Sequence, residues 1–343
     1  MFIRADMNDT IATGHMMRCL SIADEIRTLG EEVVFITADH EADNLLSERG
    51  YQNRILNTRW SDMESELPQI TAILREKPGS RILIDSYQVT PRYLTELTKA
   101  ADTSYIDDIN SFVYPVRNLI CYACYWKDFR YQERYKNTKL YLGAEYTPLR
   151  KEFSHCGPKK ISQEMENILI ISGGTDNQNV LRKLLMEVRK AGFRRINVVC
   201  GRYYHYFDQL TAEAKEWENV FISRHASDMK RYFDEADLVI SAGGTTLYEL
   251  CACGTPAISY SIADNQLGNV RQFDKEGLIA YAGDARYNRI ENKISILLGR
   301  YTCEERSRRS FEMQRYIDGR GASRLAHVLT KKRRGSGQRG DEY

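Results

Sequence analysis

Short runs that are apolar almost throughout recur along this chain, separated by longer stretches in which apolar residues return every three or four positions. The runs predict strands at 1–5 (MFIRA), 32–38, 81–86, 103–107 and 118–123, then at 167–172, 196–201, 219–223, 238–242 and 256–261, with a further one at 278–283. Strands that are apolar on both faces must be covered on both faces, and the intervening helical patterns supply the cover. The pattern therefore predicts an α/β fold with parallel sheets. It runs twice. Between the two runs, residues 150–167 (RKEFSHCGPKKISQEMEN) are polar, carry Gly-Pro and show no strand period, which marks a linker.

The expected organisation is a first Rossmann-like domain over 1–150, a linker over 151–166 and a second Rossmann-like domain over 167–302, with the two sheets facing a central cleft. A long helix over 303–330 follows and is expected to be able to pack back on the first domain. A basic tail over 331–343 has almost nothing apolar to bury and is expected to be disordered. A chain of 343 residues accommodates two domains.

Charge removes several function classes. The net charge is +2, and the tail, with five basic and two acidic residues, accounts for more than all of it. No basic stripe accompanies the 22 tyrosines, so a nucleic-acid partner is not expected. No apolar run reaches the ~18 residues of a membrane span, and the first residues read as a strand and not as a signal peptide, so a cytoplasmic location is expected. Eight cysteines are scattered. Cys121 and Cys124 form a CxxC inside a strand and its exit, with no second pair and no nearby histidine, so the expectation is free thiols and no metal. Asp107 and Asp108 also follow a strand end, yet no DxD motif accompanies them.

The chemistry concentrates at strand-to-helix turns. Residues 4–30 (RADMNDTIATGHMMRCLSIADEIRTLG) place Gly14 and His15 where a loop passes into an amphipathic helix. Gly173 and Gly174 (ISGGTD) follow one strand of the second half, and Gly243 and Gly244 (SAGGTT) follow another. Neither loop is a P-loop and neither is GxGxxG. Glycine lets the backbone approach a ligand, and a helix start offers unpaired N–H groups and partial positive charge suited to a diphosphate. Ligands of open α/β sheets lie outside the strand C-termini. Glu249, one turn into the helix after Gly244, is placed to accept both hydroxyls of a ribose. Asp264, Asn265 and Gln266 open a further helix at the same sheet edge. Asp85 and Tyr87 follow a strand of the first half. His225 lies just after another strand end. The remaining histidines have no comparable setting.

Taken in order, RADMNDTIATGHMMRCLSIA, LIDSYQV, YIDDIN, YLGAEYTPLRKEF, ISGGTD and SAGGTTLYELCACGTPAISYSIADNQ resemble the nucleotide-sugar hydrolases of pseudaminic acid biosynthesis and the related spore-coat polysaccharide proteins. The last block also resembles MurG-type glycosyltransferases. The similarity spans residues 2 to about 280. The resemblance implies a GT-B fold and hydrolysis of a UDP-activated diacetamido-trideoxy hexose at the anomeric carbon, with inversion and without a cofactor. It implies that His15 deprotonates the water and that Tyr87 and Asn265 sit near the sugar. Gly14, Arg18 and Asp85 join them on the substrate side. Glu249 takes the ribose, and the segments Gly173–Gly174–Thr175–Asp176 and Gly243–Gly244–Thr245, with Asp264 and Gln266, take the nucleotide. The run AGGTT departs from relatives that carry serines there.

These roles are chemically coherent. UDP leaves as a stable anion and needs charge stabilisation, not a proton, so the paired carboxylates of an ordinary glycosidase are unnecessary. Only the water needs help, and a single histidine can act as its base near neutral pH. A glycosyltransferase of the same fold is the alternative, and a non-catalytic nucleotide-sugar binding protein is a third. The short first loop leaves little room for an acceptor-binding insertion.

Overall fold

The computed structural model describes residues 1–173, 176–201, 204–224, 226 and 228–331. Within these, the first half forms strands β1 (Phe2–Ala5), β2 (Val34–Thr37), β3 (Gln52–Ile55), β4 (Arg81–Asp85), β5 (Asp102–Ile106), β6 (Asn118–Cys121) and β7 (Lys139–Leu142). The second half forms β8 (Asn167–Ile171), β9 (Arg195–Cys200), β10 (Val220–Arg224), β11 (Leu238–Ala242), β12 (Ala257–Ser261) and β13 (Ala280–Asp284). The helices of the first half are α1 (Gly14–Thr28), α2 (Asp43–Glu48), α3 (Leu67–Arg75), α4 (Pro91–Ala100) and α5 (Tyr131–Arg134). Those of the second are α6 (Val180–Val188), α7 (Phe207–Glu213), α8 (Met229–Glu235), α9 (Thr246–Cys253), α10 (Asp264–Lys275) and α11 (Glu291–Leu298), followed by α12 (Cys303–Tyr316) and α13 (Gly321–Thr330).

The strands make two parallel sheets. One runs β3-β2-β1-β4-β5-β6-β7 and the other β10-β9-β8-β11-β12-β13. Each sheet starts near its middle and winds outward in both directions, so each has a switch point, between β1 and β4 in the first and between β8 and β11 in the second. Crevices for ligands open at the carboxyl ends of the strands at such points.

The central strands are buried along nearly their whole length, as their unbroken apolar sequences require. Two strands, β3 (QNRI) and β7 (KLYL), are absent from the apolar pattern. They are the two edges of the first sheet and stay partly exposed, so they carry polar residues where central strands cannot.

The expected helix over 303–330 is two helices. α12 packs on α9, and α13 packs on α1 of the first half. The chain turns between them at Gly319, whose φ is +73° and where a Cβ would lie 2.0 Å from the carbonyl oxygen of Phe153. Only glycine allows that contact, which brings the return of the chain against the outgoing linker. The linker itself is anchored by Phe153, stacked on Phe233 of α8 with ring centroids 5.8 Å apart. Residues 332–343 of the tail lie outside the described residues.

Candidate functional site

His15 is the second residue of α1, the helix reached from β1 through the loop 6–13, and Asp85 is the last residue of β4. The β1–β4 pairing sets Ala5 beside Asp85, so the two segments meet at the switch point of the first sheet. His15 Nδ1 lies 2.7 Å from Asp85 Oδ1, and both side chains are buried. Burial alone would raise the Asp85 carboxyl, but Arg18 and His15 outweigh it and hold the carboxyl well below the usual carboxylate range. Arg18 Nη2 also lies 2.9 Å from His15 Nδ1, but it donates to Asp85 Oδ1 as well, and the shorter contact of Nδ1 to the ionised carboxylate assigns the proton to His15 Nδ1. The Nε2 lone pair is left as the basic atom. A carboxylate that fixes one histidine tautomer in this way is the usual support of a general base.

Arg18, one turn further along α1, clasps Asp85 with Nε and Nη2 and donates from Nη1 to the Tyr122 hydroxyl at 2.7 Å. Its guanidinium also lies 3.7 Å from Asp108. Tyr87 stands edge-on to the His15 ring, with centroids 4.7 Å apart, and its hydroxyl donates to Asp108 Oδ2 at 3.1 Å. Burial raises the Asp108 carboxyl above its ordinary value against the opposing pull of Arg18 and Tyr87. Burial, reinforced by the charge of Asp108, pushes the Tyr87 phenol up as well. Asp107, by contrast, is turned inward. It accepts from the amides of Ile109 and Asn110 at 3.1 Å and from the hydroxyls of Tyr114 and Tyr131.

A Cβ at Gly14 would meet nothing within 4 Å, so neither packing nor a positive φ demands glycine there. The first turn of α1 has no side-chain cap, and among the described residues the amides of Gly14, His15 and Met16 find no hydrogen-bond partner.

In the second half, α9 and α10 open in the same manner. The amides of Thr245 and Thr246, and those of Asp264 and Asn265, have no partner among the described residues, and neither helix has a side-chain cap. Two adjacent helix starts with free N–H groups form an electropositive cradle. Gly243 is needed for packing, because a Cβ there would lie 2.3 Å from Val270 Cγ1. Gly244 faces open space. Gln266 Oε1 accepts from the Ile262 amide at 2.9 Å, fixing the turn into α10, while Asn265 is exposed beside it. Asp264 projects into solvent and pairs with Arg286 at 2.7 Å.

The other glycine loop behaves differently. Asp176 is buried and accepts from the amides of Val180 and Leu181 at 2.9 and 2.8 Å, so its carboxylate closes the start of α6 instead of leaving it open to an anion. Gly173 has φ +86° and open space around it. Gly174, Thr175 and His225 lie outside the described residues.

Glu249 sits in the first turn of α9 and is engaged by Arg150 of the linker, Nη2 to Oε1 at 3.1 Å. Burial raises its carboxyl, and Arg150 opposes the rise. Arg150 lies in the block YLGAEYTPLRKEF, but only the fold brings it to Glu249. The seam between the halves is equally hidden in the sequence. Tyr248 Oη accepts from the Cys124 amide at 3.0 Å and donates to Asn269 Oδ1 at 2.7 Å, and the Asn269 amide group donates to the Gly243 carbonyl at 3.3 Å. Through Tyr122, packed edge-on to Tyr248, this chain of contacts joins the His15 cluster to the Gly243 loop. The two groups of residues are thereby linked through packed side chains across the seam.

With this geometry in hand, comparison with solved structures settles the architecture. The MurG of Acinetobacter baumannii superimposes with a TM-score of 0.69 over 96% of this chain and 99% of its own, at 12% identity. The fold is GT-B. An Anabaena protein, Alr3699/HepE, solved in complex with UDP and glucose, matches with a TM-score of 0.59 over 96% of this chain and 99% of its own, at 13% identity. Residues 168–316 match the model of the glycosyltransferase family 28 C-terminal domain.

Among curated proteins, the spore coat polysaccharide biosynthesis protein SpsG of Bacillus subtilis is 24% identical over 145 residues, covering 41% of this chain and 43% of the relative. The pseudaminic acid cytidylyltransferase and UDP-2,4-diacetamido-2,4,6-trideoxy-beta-L-altropyranose hydrolase of Helicobacter pylori is 22% identical over 276 residues, covering 78% of this chain and 46% of the relative. The chain thus spans about half the length of the curated relatives it matches.

Among the described residues no helix is long and apolar enough to cross a membrane, no three metal-ligating side chains cluster, and all eight cysteines are free.

Proposed function

We propose that this chain hydrolyses a UDP-activated diacetamido-trideoxy hexose at its anomeric carbon, releasing UDP and the free sugar with inverted configuration for nonulosonic acid or surface polysaccharide synthesis. The observation that carries the reading is the buried His15–Asp85 pair, joined through Tyr122 and Tyr248 to the seam beside the uncapped starts of α9 and α10. The likeness to the Helicobacter pylori enzyme over most of this chain supports it.

The diphosphate lies against the amides of Thr245 and Thr246 and the starts of α9 and α10, with Gly244 allowing close approach. Glu249 exchanges Arg150 for the ribose hydroxyls. Asn265 and Tyr87 flank the sugar. Water attacks the anomeric carbon and its proton passes to His15 Nε2. The bond from that carbon to the β-phosphate oxygen breaks, and its electron pair leaves with UDP. The helix starts stabilise the charge that develops there, so no general acid is required. Asp176 is left out of the site, since it is committed to α6.

A glycosyl transfer to an acceptor is the second reading, favoured by the family 28 match over residues 168–316. Incubation with the UDP-sugar and no acceptor separates the two. The hydrolytic reading expects UDP release at full rate. Release only after an acceptor is added overturns it in favour of transfer, and nucleotide binding without turnover under either condition leaves a binding protein.

A further inference from the structure

We infer that Asp108 is a positioning residue, which makes Tyr87 a second hydrogen-bond acceptor beside His15 so that the two together hold the attacking water. The inference rests on the hydrolytic reading of the site. A tyrosine hydroxyl has one proton, and Tyr87 gives its proton to Asp108 Oδ2 at 3.1 Å. Toward any ligand the Tyr87 oxygen is then an acceptor only. His15 is in the same position, because Asp85 takes the Nδ1 proton and leaves the Nε2 lone pair. The two rings stand edge to face with centroids 4.7 Å apart. Two acceptors carried on rings in contact suit a molecule with two O–H groups, which is water. When both protons are so directed, an oxygen lone pair is left for the anomeric carbon.

The placement of Asp108 fits this task better than a structural one. Asp107, its neighbour, has both carboxylate oxygens satisfied and braces the loop after β5. Asp108 has no such network. Its Oδ1 is buried and has no hydrogen-bond partner among the described residues, and its cation, Arg18, stands 3.7 Å away while clasping Asp85. A buried carboxylate so poorly satisfied is unfavourable for folding. Its one good contact is the Tyr87 hydroxyl. Without Asp108 that hydroxyl is free to rotate and donate to the water or to the base, which would disable both.

A double-mutant cycle tests this. Asp108→Ala is expected to lower kcat by about tenfold or more, with KM and UDP affinity changed by less than about threefold. Asp108→Asn, whose amide oxygen still accepts from Tyr87, is expected to recover most of that loss. In a Tyr87→Phe background, Asp108→Ala is expected to cost nothing further. Independent, multiplicative losses, or an Asp108→Asn enzyme as slow as Asp108→Ala, would overturn the inference. If Asp108→Ala does not fold, the same cycle run with Asp108→Leu keeps the test intact. Failure of the hydrolytic reading shows up separately, as wild-type protein that turns over only with an acceptor. The cycle then follows transfer, where losses that coincide would contradict a role limited to water.

Discussion

His15 Nδ1 and Asp85 Oδ1 lie 2.7 Å apart across 70 residues of sequence, joined at the point where the first sheet reverses its winding. The same carboxylate also holds the buried guanidinium of Arg18. One aspartate therefore does two jobs, and substitutions at its partners separate them.

His15→Asn is expected to lose roughly 10²–10⁴ in rate while UDP affinity and melting temperature hold, because the base acts on water and not on the nucleotide. Asp85→Asn is expected to lose rate and also to destabilise the chain by on the order of 3 kcal/mol, because Arg18 is left buried without its main counter-charge. Kinetics and thermal melts on the two variants check this. Equal melting temperatures for Asp85→Asn and wild type would remove the second job.

Much of this was legible in the sequence, and the exceptions have physical causes. Central strands such as β4 and β11 announce themselves because burial on both faces demands unbroken apolar residues. β3 and β7 do not, because sheet edges keep one side in water. Gly14-His15 at a helix start was visible, and so was Asp85 at a strand end. Their pairing was not, since it exists only once β1 and β4 lie side by side. Asp108 was visible only as half of an aspartate pair, and its separation in role from Asp107 depends on where Tyr87, Tyr114 and Tyr131 come to rest. Arg150 stands in the block YLGAEYTPLRKEF, but nothing in that block pairs it with Glu249. Asp176 reads as a loop carboxylate beside two glycines, and only the turn into α6 reveals that it caps that helix.

Glu249→Ala is expected to raise the dissociation constant for UDP by roughly tenfold or more, through loss of a charge-assisted contact to the ribose. Glu249→Gln should fall between, since its amide oxygen still accepts one hydroxyl. Titration calorimetry with UDP and with the 2′-deoxy nucleotide tests this. Unchanged UDP binding in Glu249→Ala would place the ribose elsewhere.

The two glycines at the start of α9 are glycine for different reasons, and alanine distinguishes them. Gly243→Ala drives a methyl group into Val270 and is expected to destabilise the fold by roughly 1–3 kcal/mol. Gly244→Ala meets open space and is expected to leave the melting temperature alone while weakening UDP binding. If Gly244→Ala binds UDP as wild type does, the diphosphate does not pass over this loop.

Asp108 gives a pH signature with a definite sign. Burial raises its carboxyl in the folded state, so the folded chain binds that proton more tightly than the unfolded chain does. Stability is then lost as pH rises from the unfolded value near ~3.9 through the raised folded value, and the full cost stands at neutral pH. Asp108→Asn removes the cost and is expected to raise the melting temperature at neutral pH by roughly 2–4 °C if about 1 kcal/mol is recovered. The advantage should fade toward pH ~4. A variant that melts below wild type at neutral pH would mean that the charge of Asp108 is favourable in the fold.

The most direct test of the central claim is turnover in H₂¹⁸O with the UDP-sugar and no acceptor, following the label by mass spectrometry and the newly formed anomer by NMR at early times. Attack by a His15-activated water on the anomeric carbon predicts ¹⁸O in the free sugar, none in UDP, an inverted anomer, and loss of both the labelled sugar and the inverted product in His15→Asn. Label in the β-phosphate of UDP, or a retained anomer, would contradict it.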